Sequence, residues 1–217
     1  MSNEEQPNLH GGLSEFHYFS TPVYISKQVS FLETVRKVML ASMDEIHGDD
    51  AMDELHPFRM SGDLREHPEL EDFSRLIGQT AWDILSSQGY DMTDFSTFFT
   101  EMWGQEHHYT SSMDYHVHPG GSHLVGFYFV DVPEDAPKAV VHDPRPARVM
   151  LELPQKDGTQ ATLSSTMINF SPVQGTIMIA PSWLPHSFSR NPSKEPFRFI
   201  HFNIGVAPVE IVPAEVV

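Results

Sequence analysis

The sequence has no cysteine, which excludes disulfides, thiolate nucleophiles and thiolate metal ligands. Positive charge is scarce: 13 Lys and Arg stand against 30 Asp and Glu, for a formal net charge of −17. A protein that binds nucleic-acid phosphates needs a basic face, and this balance argues against one. Long apolar runs are missing too, so no stretch approaches a membrane span. The first residues, MSNEEQPNLH, lack the basic-then-apolar order of a secretory signal, and a cytoplasmic protein is expected. Neither an internal repeat nor a low-complexity segment is present. What remains is 217 residues, 40% of them hydrophobic, enough for one large domain with its own core.

Histidine, by contrast, is abundant. There are 13, as many as Lys and Arg together, and eight lie between His107 and His201. The first half of the chain reads as ordinary packing structure. FHYFSTPVYIS looks extended. Ser30 and Glu33 have the spacing of a capping box, and Phe31, Leu32, Val35, Val38 and Met39 then fall on one helical face. The polar stretch 48–66 reads as loop. Pro68 suits the first turn of a second helix, with Leu70, Phe73, Leu76, Ile77, Ala81, Ile84 and Leu85 as its stripe and Gly89 as its stop. From Phe95 the pattern changes to short β segments: FSTFFTEMW, YHVH, HLVGFYFV, KAVVHD, RVMLEL, GTIMIA and PFRFIHFNI. Short strands at this spacing predict a sandwich or jelly roll. The expected fold is mainly β with flanking helices (α+β). It is one domain over 1–217, the helices of about 30–90 packing on the β core.

Three pieces of the β half carry chemistry. His116 and His118 form a His-x-His pair whose rings share one face of a strand. His186 follows the apolar strand GTIMIA after a turn held by Pro181 and Pro185. Arg198 lies twelve residues further on, in RFIHFNI. Alternation puts Arg198 on one face with Ile200, Phe202 and Ile204, where a guanidinium needs an anionic partner. In the alternative, the His201 and Asn203 face looks inward and Arg198 is solvated. Convergent histidines with a nearby cation suit a metal with open positions and an acidic co-substrate.

The segments HVHPGGSHLVGFYFVDVP, HDPRP, GTIMIAPSWLPHSFSRN and RFIHFNIG resemble the 2-oxoglutarate/Fe(II) oxygenase family of bacteria and phage. The leading YFSTPVYI and EMW are similar too, so the resemblance spans most of the chain. It implies a double-stranded β-helix, a jelly-roll barrel of cupin-like form with iron in its mouth. It also implies an oxidoreductase, a dioxygenase using Fe(II) and 2-oxoglutarate. Mapped by residue, His116 matches the first ligand, His186 the distal ligand, and Arg198 the clamp for the far carboxylate of 2-oxoglutarate; Tyr128, on a neighbouring strand, is either a further hydroxyl for that carboxylate or a buried core residue.

His118 departs from the pattern, because the wider superfamily usually places a carboxylate there. Either His118 binds and the site has three histidines, or Asp143 in HDPRP completes it; the spacing favours His118. Asp114 reads as solvated. In a rival reading the same strands form a cupin-like metal-binding protein without 2-oxoglutarate turnover, in which His123 stands where cupins place Glu. The expected partner is a small-molecule or peptide substrate, with homodimerisation through exposed β edges.

Overall fold

A computed structural model describes residues 16–118, 120–151 and 153–209. Two helices precede most of the β structure. α1 spans Leu32–His47 and buries Val35, Val38, Met39 and Met43. α2 spans Glu71–Ser87 and buries Phe73, Ile77, Ala81, Ile84 and Leu85. These are the apolar stripes expected from the sequence. Gly48 and Gly89, at φ +45° and +96°, follow the two helices in conformations open to glycine. The predicted capping box does not form: Ser30 lies inside a 3-10 turn, Val29–Phe31, and Glu33 pairs with Arg36 at 2.5 Å instead.

Ten strands follow this order: β1 Tyr24–Lys27, β2 Phe58–Met60, β3 Phe95–His107, β4 Met113–His116, β5 Ser122–Asp131, β6 Ala139–His142, β7 Met167–Phe170, β8 Thr176–Pro181, β9 His186–Phe188 and β10 Phe197–Pro208. They build a six-stranded sheet, β1-β8-β5-β10-β3-β2, and a four-stranded sheet, β4-β9-β6-β7. All the pairings are antiparallel. The two sheets form a double-stranded β-helix. Two segments differ from expectation. The loop at 48–66 contributes the short strand β2, which pairs with β3. The expected strand RVMLEL does not form over its described residues: Pro146–Met150 form a 3-10 turn, Met150, Leu151 and Leu153 are exposed, and Glu152 lies outside the described residues. Pro144 and Pro146 before it, and Pro154 after it, deny the run a regular ladder.

Strand alternation divides the core in two. Leu124, Tyr128 and Val130 of β5, Ile177 and Ile179 of β8, and Ile200, Phe202 and Ile204 of β10 pack against the helices. The alternate residues face the barrel interior: Val125, Phe127 and Phe129, Met178 and Ala180, Phe197 and Phe199. GTIMIA is therefore buried on both faces, as its composition requires. Gly126 on β5 faces Gly126's register partner Phe202, whose ring lies where a Cβ would go, so no larger residue fits there without displacement. Among the described residues, no helix is long and apolar enough to cross a membrane.

Candidate metal centre

Three loops and strand ends bring the site together. His116 ends β4 and pairs in register with His186, which begins β9. His118 lies two residues past β4. Its backbone N–H donates to Ser182 O (3.0 Å), and Ser182 N–H donates in turn to His123 O (3.0 Å). The Ser182 hydroxyl donates to Ser122 O at 2.7 Å. Within the turn after β8, Leu184 N–H donates to Pro181 O (3.0 Å). This stitching sets His118 beside His186 although 68 residues separate them.

The three imidazoles of His116, His118 and His186 converge, each offering a ligand atom within 4.8 Å of the others. Ring centroids of His116 and His186 are 4.5 Å apart, and those of His116 and His118 are 4.8 Å apart. The carbonyls around the rings fix two tautomers. His186 Nδ1 donates to Leu184 O (2.9 Å) and His116 Nδ1 donates to Asp114 O (2.7 Å), which leaves each Nε2 as a lone pair. His118 Nε2 stands 3.2 Å from His186 Nε2. Two nitrogens each about 2.1 Å from one ion, at right or tetrahedral angles, are about 3.0–3.4 Å apart. The cluster thus has the spacing and the donor atoms of a metal site.

Burial first, and then the neighbouring histidines, push His118 down to about 3. Burial likewise pushes His186 down to about 4, so both rings are neutral near pH 7, as ligation requires.

Two expected co-substrate residues, Arg198 and Tyr128, lie on the other side of the sheet from the histidines. Arg198 does not face the histidines. Alternation along β10 puts it on the helix side, where its Nε donates to Glu106 Oε2 (2.5 Å) and its Nη1 to Asp131 Oδ2 (2.9 Å). Register explains the pairing, since Glu106 on β3 and Asp131 on β5 lie directly beside it. Burial works to raise the Glu106 carboxyl, but hydrogen bonds with His108 and Arg198 outweigh it and hold its pKa below the ordinary value. Tyr128 is on the same side, fully buried against Phe73, with its hydroxyl donating to Gln28 O at 2.9 Å. Burial pushes its phenol up to about 12.

The alternative ligands also lie elsewhere. Asp143 is outside the convergent group and holds Arg145 in a two-pronged ion pair. His123 is exposed and outside the group as well. The Asp114 side chain is exposed, and this residue serves the site through its carbonyl.

The inward face of β10 supplies what the sequence reading left as an alternative. His201 is 2% exposed, and neither ring nitrogen has a hydrogen-bond partner. Its ring stacks on His118 (4.9 Å) and leans on Trp103 (4.7 Å), whose indole Nε1 is likewise buried without a partner. Asn203 Nδ2 is 3.0 Å from His118 Nδ1 and donates to Glu101 Oε2 at 2.6 Å. Glu101, His118 and His201 form a second convergent group that shares His118. Beside the histidines lies a cavity of about 280 Å³, whose lining includes His116, His118, Trp103, Gln105, His107 and His201. Period-two alternation was the only signal for these residues.

The double-stranded β-helix with three convergent imidazoles is a jelly-roll protein with a candidate metal site. Residues 101–203 match the profile of the family described as "Putative 2OG-Fe(II) oxygenase". This segment runs from β3 into β10 and contains every histidine of the cluster. The match covers just under half of the chain and falls on its β core.

No curated protein matches the chain. Solved structures share the fold. AviO1 from Streptomyces viridochromogenes Tue57 is 9% identical over 85% of this chain and 90% of its own, with a TM-score of 0.60. A Pseudomonas putida prolyl-4-hydroxylase is 9% identical over 86% and 94%, at 0.58. HygX from Streptomyces hygroscopicus, solved with nickel, 2-oxoglutarate and hygromycin B bound, is 14% identical over 85% and 83%, at 0.52. At such identities the likeness concerns the fold.

Proposed function

We propose that His116, His118 and His186 hold Fe(II) and that the protein uses it with 2-oxoglutarate to hydroxylate a small-molecule or peptide substrate. The observation that carries this reading is the convergence of three imidazoles, two of them with Nε2 atoms 3.2 Å apart. Bound Fe(II) with 2-oxoglutarate and O₂ supplies the oxidising power, decarboxylation to succinate being coupled to C–H hydroxylation. The chain's own residues position and shield. The carbonyls of Leu184 and Asp114 hold two rings with their lone pairs inward. Phe127 packs against His186 and His201 at 5.5 Å each, making an apolar floor that keeps water from the inner side of the cluster.

HygX and the prolyl hydroxylase act in very different chemical settings by their descriptions, so the substrate class is left as broad as stated. The acidic balance of −17 supports a partner other than nucleic acid, and a cytoplasmic setting accords with the absence of cysteine. The sheet edges β1, β2, β4 and β7 offer surfaces for a homodimer.

A second reading is a three-histidine metal protein that does not turn over 2-oxoglutarate. It is favoured by one observation: among the described residues, the cavity and the apolar barrel core are lined by no Lys or Arg. Anaerobic loading with Fe(II), then exposure to O₂ with 2-oxoglutarate, separates the two. Succinate release that needs both metal and 2-oxoglutarate is expected; metal binding with no succinate would support the second reading.

A further inference from the structure

The expected cation is tied up on the wrong side of the sheet, yet buried donors with no protein partner lie beside the metal ligands. We propose that the distal carboxylate of 2-oxoglutarate is held by neutral donors, Trp103 Nε1–H, His201 and the Gln105 amide, in the cavity next to His116 and His118. This assignment rests on the proposed use of 2-oxoglutarate.

Three observations carry it. The first is the pair of orphans. The Trp103 indole N–H and both His201 nitrogens are buried without hydrogen bonds, and both residues line the 280 Å³ cavity. A buried polar group left unpaired is costly, and two adjoining ones in a cavity wall point to a polar ligand between them. The second is the orientation of Gln105. The Ser111 hydroxyl bonds His107 Nδ1 (2.7 Å), and His107 Nε2–H donates to Gln105 Oε1 (2.9 Å). The carbonyl end of Gln105 is thereby engaged, and its NH₂ is the end that can serve a ligand. That chain also locks His107 in one tautomer, stacked between Phe58 and Phe199.

The third is charge balance. A divalent ion among three neutral imidazoles leaves the site doubly positive, and 2-oxoglutarate is a dianion. Metal and co-substrate thus balance each other without a guanidinium, while the carboxylate of Glu101, within 4.8 Å of His118 and His201, is exposed to solvent and accepts from Asn203 Nδ2 (2.6 Å). A carboxylate ligand in place of His118 would leave one positive charge too few, and a basic clamp would restore it. Histidine at position 118 and the lack of an interior cation are thus two sides of one arrangement. Neutral donors then supply geometry, through hydrogen bonds to an anion, while the metal supplies the field. Asp114 at the cavity lining adds no attraction, and its exposed carboxylate is screened by solvent.

The test is calorimetric titration of 2-oxoglutarate into anaerobic Fe(II)-loaded protein, with metal content measured for every variant. Trp103→Phe removes only the indole N–H and its ring; His201→Phe keeps the stacking on His118. Each is expected to weaken 2-oxoglutarate by about tenfold or more, the loss of a hydrogen bond to a charged group, at unchanged iron content. Arg198→Ala is expected to lower the melting temperature but leave the Kd for 2-oxoglutarate within about twofold, because the residue acts through Glu106 and Asp131. Wild-type-like Kd values in both Trp103→Phe and His201→Phe, or loss of binding in Arg198→Ala at a temperature where it is folded, would overturn the assignment alone. Iron-loaded wild type that binds no 2-oxoglutarate would overturn the proposed function, and this subsite with it.

Discussion

A histidine at position 118 changes more than the ligand count. Its neighbours His116 and His186 each present an Nε2 lone pair to the cluster, and its own Nε2 lies 3.2 Å from that of His186. His118→Ala is therefore expected to lower iron affinity by more than about a hundredfold, beyond the usual cost of disturbing an outer hydrogen bond. Asp143→Ala should keep full iron affinity, since that carboxylate is occupied with Arg145. Equilibrium dialysis with Fe(II) or Ni(II) checks both.

His107 makes a second prediction, away from the ligands. It is 4% exposed, and burial pushes it from 6.5 down to about 4. Between those values the unfolded chain binds a proton that the folded chain does not. Stability is thus fully present above pH 6.5 and falls with acidification, by about 1.4 kcal/mol per pH unit for this residue, until about pH 4. Urea melts of His107→Gln between pH 7 and 4.5 should have a slope shallower than wild type by about one proton. An identical slope would show that His107 is protonated in the folded state.

At the scale of strands, alternation decides which residues meet the chemistry. β10 sends Phe197, Phe199, His201 and Asn203 inward and Arg198, Ile200, Phe202 and Ile204 outward. The outward guanidinium bridges β3 and β5 through Glu106 and Asp131, and Arg36 of α1 joins at Asp131 Oδ1 (2.9 Å). Arg198→Ala leaves Glu106, nearly buried, with one partner fewer. The expected loss is about 1–3 kcal/mol, discounted because the guanidinium side chain is 22% exposed. Gly126→Ala on β5 meets the Phe202 ring, and overpacking of that kind costs about 1–3 kcal/mol. Thermal melts of both variants check these values.

Helix stripes and the doubly buried β8 were legible because period and burial follow from composition alone. β7 and β9 were not. MINF alternates weakly, and HSF is a strand of only three residues between proline turns. The inward face of β10 was undecidable for another reason: both its faces carry large apolar residues, and the pairings with Glu106 and Asp131 that settle it are set by registers of distant strands. His116, His118 and His186 could be read from local spacing, whereas Trp103, Gln105 and His201 depend on how β3 and β10 align.

For the whole molecule, the metal is expected to act as a staple as well as a reagent. It would tie the four-stranded sheet, through His116 and His186, to the segment after β4 that carries His118 and rests on the six-stranded sheet through Asn203. A ligand present at a hundredfold above its Kd adds about 2.7 kcal/mol of stability. Fe(II) or Ni(II) should accordingly raise the unfolding midpoint of wild type and leave His118→Ala unmoved, as followed by denaturant melts under anaerobic conditions. The most direct measurement is an anomalous-scattering map at the iron edge from crystals of the Fe(II)-loaded protein. The account predicts a single peak about 2.1 Å from Nε2 of His116, His118 and His186. A peak among Glu101, His118 and His201 instead, or no peak at stoichiometric iron, would contradict it.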